Sequence, residues 1–229
     1  MSQTISRERL SQYYSYMETF YDKASEDILW HLSQFLDGDP AIKAFKGSMK
    51  ISHRVKPQSS IFRKCERDKI SDVNDIPTKV EDVIGIRIAT ANKEQARTLW
   101  EALQHSRERW FCVTNSSPKF VPYTVSAKNN YSLQTGYQAY HITFVFSQSY
   151  KPLTEEASWP VEMQIMSQLW EFWAEYSRRY FYGSLPTKTT AAYNLVVSKL
   201  LDAADDLMIA TTEAIMQSRK EATGGVAAK

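Results

Sequence analysis

The chain has 229 residues, enough for one well-buried domain with a small helical appendage. An apolar fraction of 43% with 24% charged residues is that of a globular protein and excludes a disordered or fibrous chain. The formal net charge of +2 is too small to argue by itself for a nucleic-acid or membrane partner, so any basic surface must be local.

Leu10, Tyr13, Tyr14, Met17, Phe20, Tyr21, Ala24, Ile28, Leu32 and Phe35 recur at helical spacing, which predicts one long or two consecutive amphipathic helices over 7–37. Gly38 and Pro40 stop them. Met49–Val55 alternates and reads as a strand, and Pro57–Arg67 as a short basic helix entered through Pro57. Residues 68–81, polar and carrying Pro77, read as a mobile connection. Val83–Ala89 is a Val/Ile-rich central strand, followed by a helix over 93–109 capped by Asn92, with Ala96, Leu99, Trp100 and Leu103 inward. Residues 113–135 are polar loop with a short strand near 119–124, and Tyr137–Phe146 and Pro160–Met166 are two more strands. Ser167 can cap a helix whose Leu169, Trp170, Trp173, Tyr176 and Tyr180 face inward. A last long helix covers 189–219 through Leu195, Val196, Leu200, Ala204, Leu207 and Ile215, and the tail from Gly224 is expected to be disordered. The whole predicts an α+β fold, a mixed sheet of about five strands covered by helices, with long N- and C-terminal helices.

No apolar run approaches a bilayer span, and the first residues carry no signal-peptide pattern. Cys65 and Cys112 are too few for a disulfide framework or a structural zinc site. A soluble cytoplasmic protein is the expectation; a toxin exported without a cleaved signal is the alternative left open.

Three features carry chemistry. Asp82 borders the central strand and Glu162 lies within another, and acids next to buried strands are costly unless paired or metal-bound. For Asp82 alone the simpler reading is an ion pair with Arg87 or a helix-end contact, and for Glu162 alone an outward-facing strand residue. Arg54 and Lys56, two apart on a strand, emerge on one face and could grip a triphosphate, with Arg63 and Lys64 nearby; a solvated basic face is the commoner fate of such a run. Together, cations for phosphates and two separated carboxylates for magnesium are the parts of phosphoryl or pyrophosphoryl transfer. Tyr137, after Gly136, could stack on a nucleobase, although a tyrosine there is more often core and His141 more often structural.

These pieces resemble the synthetase domain of the RelA/SpoT family, which makes the alarmones pppGpp and ppGpp. The matching blocks are Arg54, Lys56, Ser60, Ile61 and Lys64; Asp82, Gly85, Ile86, Arg87 and Ile88; Gly136, Tyr137, Gln138 and His141; Glu162, Gln164 and Ile165; and Trp173, Ala174 and Glu175. They span about residues 50–180. With some fifty residues ahead of them, no His-Asp dipeptide of the family's hydrolase and no regulatory tail, the chain looks like one synthetase domain over 1–229, its core about 45–183 and its helical extensions at 5–37 and 189–219. The resemblance implies that ATP gives its β,γ-pyrophosphate to a ribose 3′-hydroxyl and AMP leaves. Asp82 and Glu162 would hold Mg2+, Glu162 also taking the hydroxyl proton. Arg54, Lys56 and Lys64 would bind the ATP phosphates, Ser60 belongs to the same ATP-binding set, and Arg87 would lie near the adenine. Tyr137 would stack on the acceptor base, with Gln138, His141 and Gln164 on the acceptor side.

Three departures fall mainly on the acceptor side. Met166 and Ser167 replace the family's Arg-Thr, Ser177 and Arg178 replace its Glu-His, and the loop Asn130–Thr135 lacks the usual Pro-Lys-x-x-Gly approach. The acceptor therefore stays open between GDP or GTP, an adenine nucleotide, and the 3′ end of tRNA, the substrate of toxic small members of the family. For tRNA, Lys119, Lys128, Arg178 and Arg179 are the candidate patch. A non-enzymatic nucleotide-binding module is the remaining alternative. A homo-oligomer or an antitoxin partner is compatible with the aromatic terminal helices, and a membrane partner is not expected.

Overall fold

The first element is a single helix, α1 (Arg7–Gly38), opened by the Ser6 side chain, which accepts from the Arg9 amide. Leu10, Tyr14, Met17, Tyr21, Ala24, Ile28, Leu32 and Leu36 are buried along it at three- and four-residue steps. The structure, a computed structural model, describes residues 5–80, 82–105, 121–124, 138–148, 157–181 and 188–224. After a turn of helix α2 (Pro40–Lys43) come β1 (Lys50–Val55), α3 (Gln58–Arg67), α4 (Ile76–Lys79), β2 (Ile84–Thr90), α5 (Lys93–His105), β3 (Val121–Thr124), β4 (Tyr140–Gln148), β5 (Ala157–Ser167), α6 (Gln168–Phe181) and α7 (Lys188–Gly224).

The five strands run in the order β1-β2-β5-β4-β3. Only β2 and β5 are parallel; the other neighbours are antiparallel. Alternation gives the sheet two unlike faces. Ile84, Ile86, Ile88, Val161, Met163, Ile165, Ile142, Phe144 and Phe146 are buried in one core with α1 and α5. Each such side chain contributes about 1.5–3 kcal/mol when taken from water. The other face carries two polar rows. In one, Arg54, Gly85, Glu162 and Thr143 lie opposite one another; in the next, Ser52, Arg87, Gln164 and His141 do.

Several expectations need correction. Residues 68–80 are not a loose connection: Ile70, Val73, Ile76 and Val80 are buried, and the stretch contains a 3-10 turn at Val73–Asp75 and α4. These four apolar residues pin an otherwise polar segment to the core. On α6 the buried residues are Trp170, Glu171, Trp173, Ala174 and Ser177, while Tyr176 and Tyr180 are exposed. Both stripes are aromatic and helically spaced; the buried one packs with Met166 of β5 and with Val197 and Leu201 of α7. On α7, Leu195, Val196, Leu200, Leu207 and Ile215 are exposed, and Asn194, Ser198 and Asp205 are buried instead.

That helix is docked by polar contacts near the α5 N-terminus. Lys93 Nζ pairs with Asp202 at 2.9 Å and Asp206 at 2.8 Å, and the Lys93 amide donates to Asp205 at 3.2 Å. Acids at a helix N-terminus complement its exposed amides. The expected caps are present: Asn92 accepts from the Gln95 amide and Ser167 from the Trp170 amide. The short strand near 119–124 is β3. Residues 106–109 of the predicted helix, the loop 125–135, Cys112 and the tail beyond Gly224 lie outside the described residues. Among the described residues no helix is long and apolar enough to cross a membrane.

Candidate active site

The polar face of the sheet is the floor of an open cleft of about 510 Å³, walled on one side by Glu175 and Arg178 of α6. Arg54, Arg87, Glu162 and Gln164 point into it from three neighbouring strands. Gly85 makes room for the first of them. A Cβ at Gly85 would lie 3.4 Å from both Cγ and Nε of Arg54, so the bare backbone lets the Arg54 side chain lie across β2.

Asp82 stands just before β2, at the end of the polar rows. It does not pair with Arg87. Its two oxygens are taken by Lys56 and, at 2.8 Å, by Lys64, reaching from the end of β1 and from α3. Burial alone would raise the Asp82 carboxyl, but the two lysine contacts outweigh it and hold it below the usual aspartate range.

Glu162 has different company. Its Oε1 lies 3.2 Å from His141 Nδ1, and its Oε2 accepts from the Gln164 amide at 2.9 Å. Burial pushes the Glu162 carboxyl up most strongly, and the contacts with His141 and Gln164 together outweigh it, so the group stays below the usual glutamate range. The Asp82 charge acts in the opposite direction and raises it. From Gln164 the network continues: its Oε1 accepts from Arg87 Nε at 3.4 Å and Nη2 at 3.3 Å, and Arg87 pairs with Glu175, which Arg178 also holds. Gln164 thereby uses three of its four hydrogen-bonding positions on protein groups.

Arg54, Arg87, Glu162, Gln164 and His141 thus share one polar face, with Asp82, Lys56 and Lys64 clustered beside it. Ser60 stands apart on α3, where its Oγ accepts from Arg63 at 3.2 Å. Gln138 is exposed ahead of β4, and Tyr137 lies outside the described residues. Two cleft residues had no donor-site role in the sequence reading. Glu175 was only part of a motif, and Arg178 was noted as a departure and a basic-patch candidate; their spacing to the Glu162 strand was the available signal.

The donor set suits a divalent ion. Among the described residues no three His, Cys, Asp or Glu groups form a cage for a metal. Two carboxylates held in the ionised range suit magnesium, since it takes one or two protein carboxylates and leaves its other positions to water and phosphate. An ion here would have to win an Asp82 oxygen from a lysine.

The family described as a region found in RelA / SpoT proteins matches residues 53–184, more than half of the chain. No curated protein matches. Among solved structures, small alarmone synthetase 1 from Bacillus subtilis bound to its product pppGpp is 20% identical, covering 90% of this chain and 99% of that one at a TM-score of 0.64. The same protein bound to AMPCPP is also 20% identical, covering 90% and 99% at a TM-score of 0.60. A GTP pyrophosphokinase family protein from Streptococcus pneumoniae is 16% identical, covering 90% and 96% at a TM-score of 0.64. At such identities the likeness is one of fold.

Proposed function

Because the chain belongs to the RelA/SpoT family and is a nucleotide pyrophosphokinase, we propose that it moves the β,γ-pyrophosphate of ATP onto the 3′-hydroxyl of a guanine nucleotide. The observation that carries this reading is the juxtaposition of Asp82, gripped by Lys56 and Lys64, with Glu162 on the adjoining polar face. The relatives solved with pppGpp and with AMPCPP support a guanine acceptor and an ATP donor.

In this reading the adenine end of ATP lies in the cleft beside Arg87 and Arg178, and the phosphates run past Arg54 toward Lys56 and Lys64. Both lysines neutralise Asp82 until a triphosphate competes for them. Asp82 and Glu162 would hold Mg2+, which supplies charge neutralisation for the transferring group. Glu162 accepts the proton of the 3′-hydroxyl as that oxygen bonds to the β-phosphorus. The bond from the β-phosphorus to the oxygen bridging the α- and β-phosphates breaks, and AMP leaves with that oxygen. His141 holds Glu162 on the acceptor side, with Gln138 and Tyr137 assigned to the accepting nucleotide. Transfer of this kind needs positioning and electrostatics more than covalent chemistry.

A second acceptor, the 3′ end of tRNA, is favoured by one observation. Phe172, Tyr176 and Tyr180 form an exposed aromatic stripe on α6 next to Arg178 and Arg179, a suitable surface for stacking bases and holding phosphates. The decisive experiment incubates the protein with γ-labelled ATP and, separately, GDP, GTP, an adenine nucleotide and bulk tRNA. Label on GDP or GTP supports the proposal. Label on tRNA alone, with binding that weakens steeply in salt, replaces it with the second reading, and label on none refutes both.

A further inference from the structure

Lys56 is held by its backbone as well as by its side chain. Its amide donates to the Val83 carbonyl at 2.7 Å, and its own carbonyl accepts from the Tyr14 hydroxyl at 3.0 Å. Pro57 follows at once, keeps Lys56 in extended backbone and leads into α3, which carries Lys64. Tyr14 comes from the first third of α1, is buried, and its ring lies 6.4 Å from that of fully buried Tyr21, so its hydroxyl has a defined place. The N-terminal helix, outside the family-matched region 53–184, therefore reaches the peptide unit from which Lys56 meets Asp82.

We propose that Tyr14 is a positioning residue of the donor site: by fixing the Lys56 carbonyl, it sets where Lys56 and Lys64 stand relative to Asp82. This rests on the donor-site role given to Lys56 above. Without the hydroxyl, a part-buried carbonyl loses its donor and the junction of β1 and α3 gains freedom. Lys56 leaves from that junction and Lys64 from the last turn of the helix it begins, so phosphate binding weakens before anything else does. The acceptor side, built on β4 and β5, does not depend on it.

Tyr14→Phe in the full chain is the test, with Tyr13→Phe as control, because the Tyr13 hydroxyl bonds Tyr21 within the same helix. The Kd of AMPCPP by calorimetry and the KM for ATP should each rise about three- to tenfold in Tyr14→Phe, with the KM for the accepting nucleotide unchanged. Tyr13→Phe should leave all three near wild type. Hydrogen exchange of the Lys56 amide, measured with no ligand present, should quicken in Tyr14→Phe alone. Lower stability with unaltered AMPCPP affinity and unaltered exchange would reduce Tyr14 to packing and overturn the proposal. If the wild type bound no AMPCPP, the donor-site reading would fail, and with it the role of Tyr14 in that site; quickened exchange would then mark Tyr14 as a structural clamp only. Were Tyr14→Phe not to fold, the Tyr14 ring-carbon resonance of the wild type would decide, moving on addition of AMPCPP if the proposal holds and staying still if it does not.

Discussion

Asp82 and Glu162 are the two acids of one site, and they are held in opposite ways. Asp82 stands at a strand entrance between two lysines that arrive from separate elements. Glu162 stands mid-strand, between His141 and the amide of Gln164, at the head of a chain of contacts that ends on Arg178. An acid held by cations organises charge, and its partners can be claimed by phosphate. An acid held by His141 and a neutral amide has no lysine to displace. In the proposed reading, electrostatic positioning falls to the Asp82 end of the cleft and proton removal to the Glu162 end.

The largest expected effect comes from Glu162→Gln, which removes the base but keeps the shape and the Gln164 neighbour. It should lower kcat by about 10²–10⁴-fold with little change in unfolding free energy. Asp82→Asn should lower activity by about 10²-fold or more, since several kcal/mol of charge stabilisation go with it. Unlike the glutamate variant it should also cost about 1–3 kcal/mol of stability, because Lys56 and Lys64 lose their partner. Equal stability losses in the two variants would erase the contrast drawn here.

The contrast also has a pH signature. The Asp82 carboxyl is held below its ordinary value of 3.8, so its contribution is fully present above that pH and lost as pH falls through the folded value. The stability gap between wild type and Asp82→Asn in denaturant titrations should therefore be full at pH 7 and close in acid below pH 3.8. A gap that persists unchanged in acid would mean that the lysine contacts are not its source.

Smaller again is Lys64→Met. The loss of one charge-assisted contact, about 1.5–3 kcal/mol, corresponds to a rise of about 10–100-fold in the KM for ATP, with the KM for the acceptor unmoved. If the acceptor KM rose instead, the two ends of the cleft would have to be exchanged.

Much of this site was legible because strand alternation is strict. The block from Val161 to Ile165 alternates, which sets Glu162 and Gln164 on the face opposite Val161, Met163 and Ile165; that Arg87 shares their face follows from the pairing of β2 with β5. Residues 68–80 were misread because their polarity concealed four well-spaced apolar anchors. Tyr176 and Tyr180 were misplaced because α6 offers two aromatic stripes, and periodicity cannot say which one a sheet will accept. The Tyr14 contact had no sequence signal, and the motif that holds Glu175 did not name its partner, since each contact joins residues many tens of positions apart.

From the sequence alone came the α+β class, the long terminal helices, the two acids and a cluster of cations for phosphates, all consequences of local spacing and side-chain chemistry. Only tertiary structure decided which lysines hold Asp82, that Glu175 closes the cleft over Arg87, and that the two terminal helices differ in fate. Arg7–Gly38 buries an apolar stripe against the sheet, whereas Lys188–Gly224 docks through Asp205 and its acidic neighbours together with Val197 and Leu201, and leaves Leu195, Leu200 and Leu207 exposed. The physical reason is that burial is a property of two surfaces, and a sequence pattern describes one at a time.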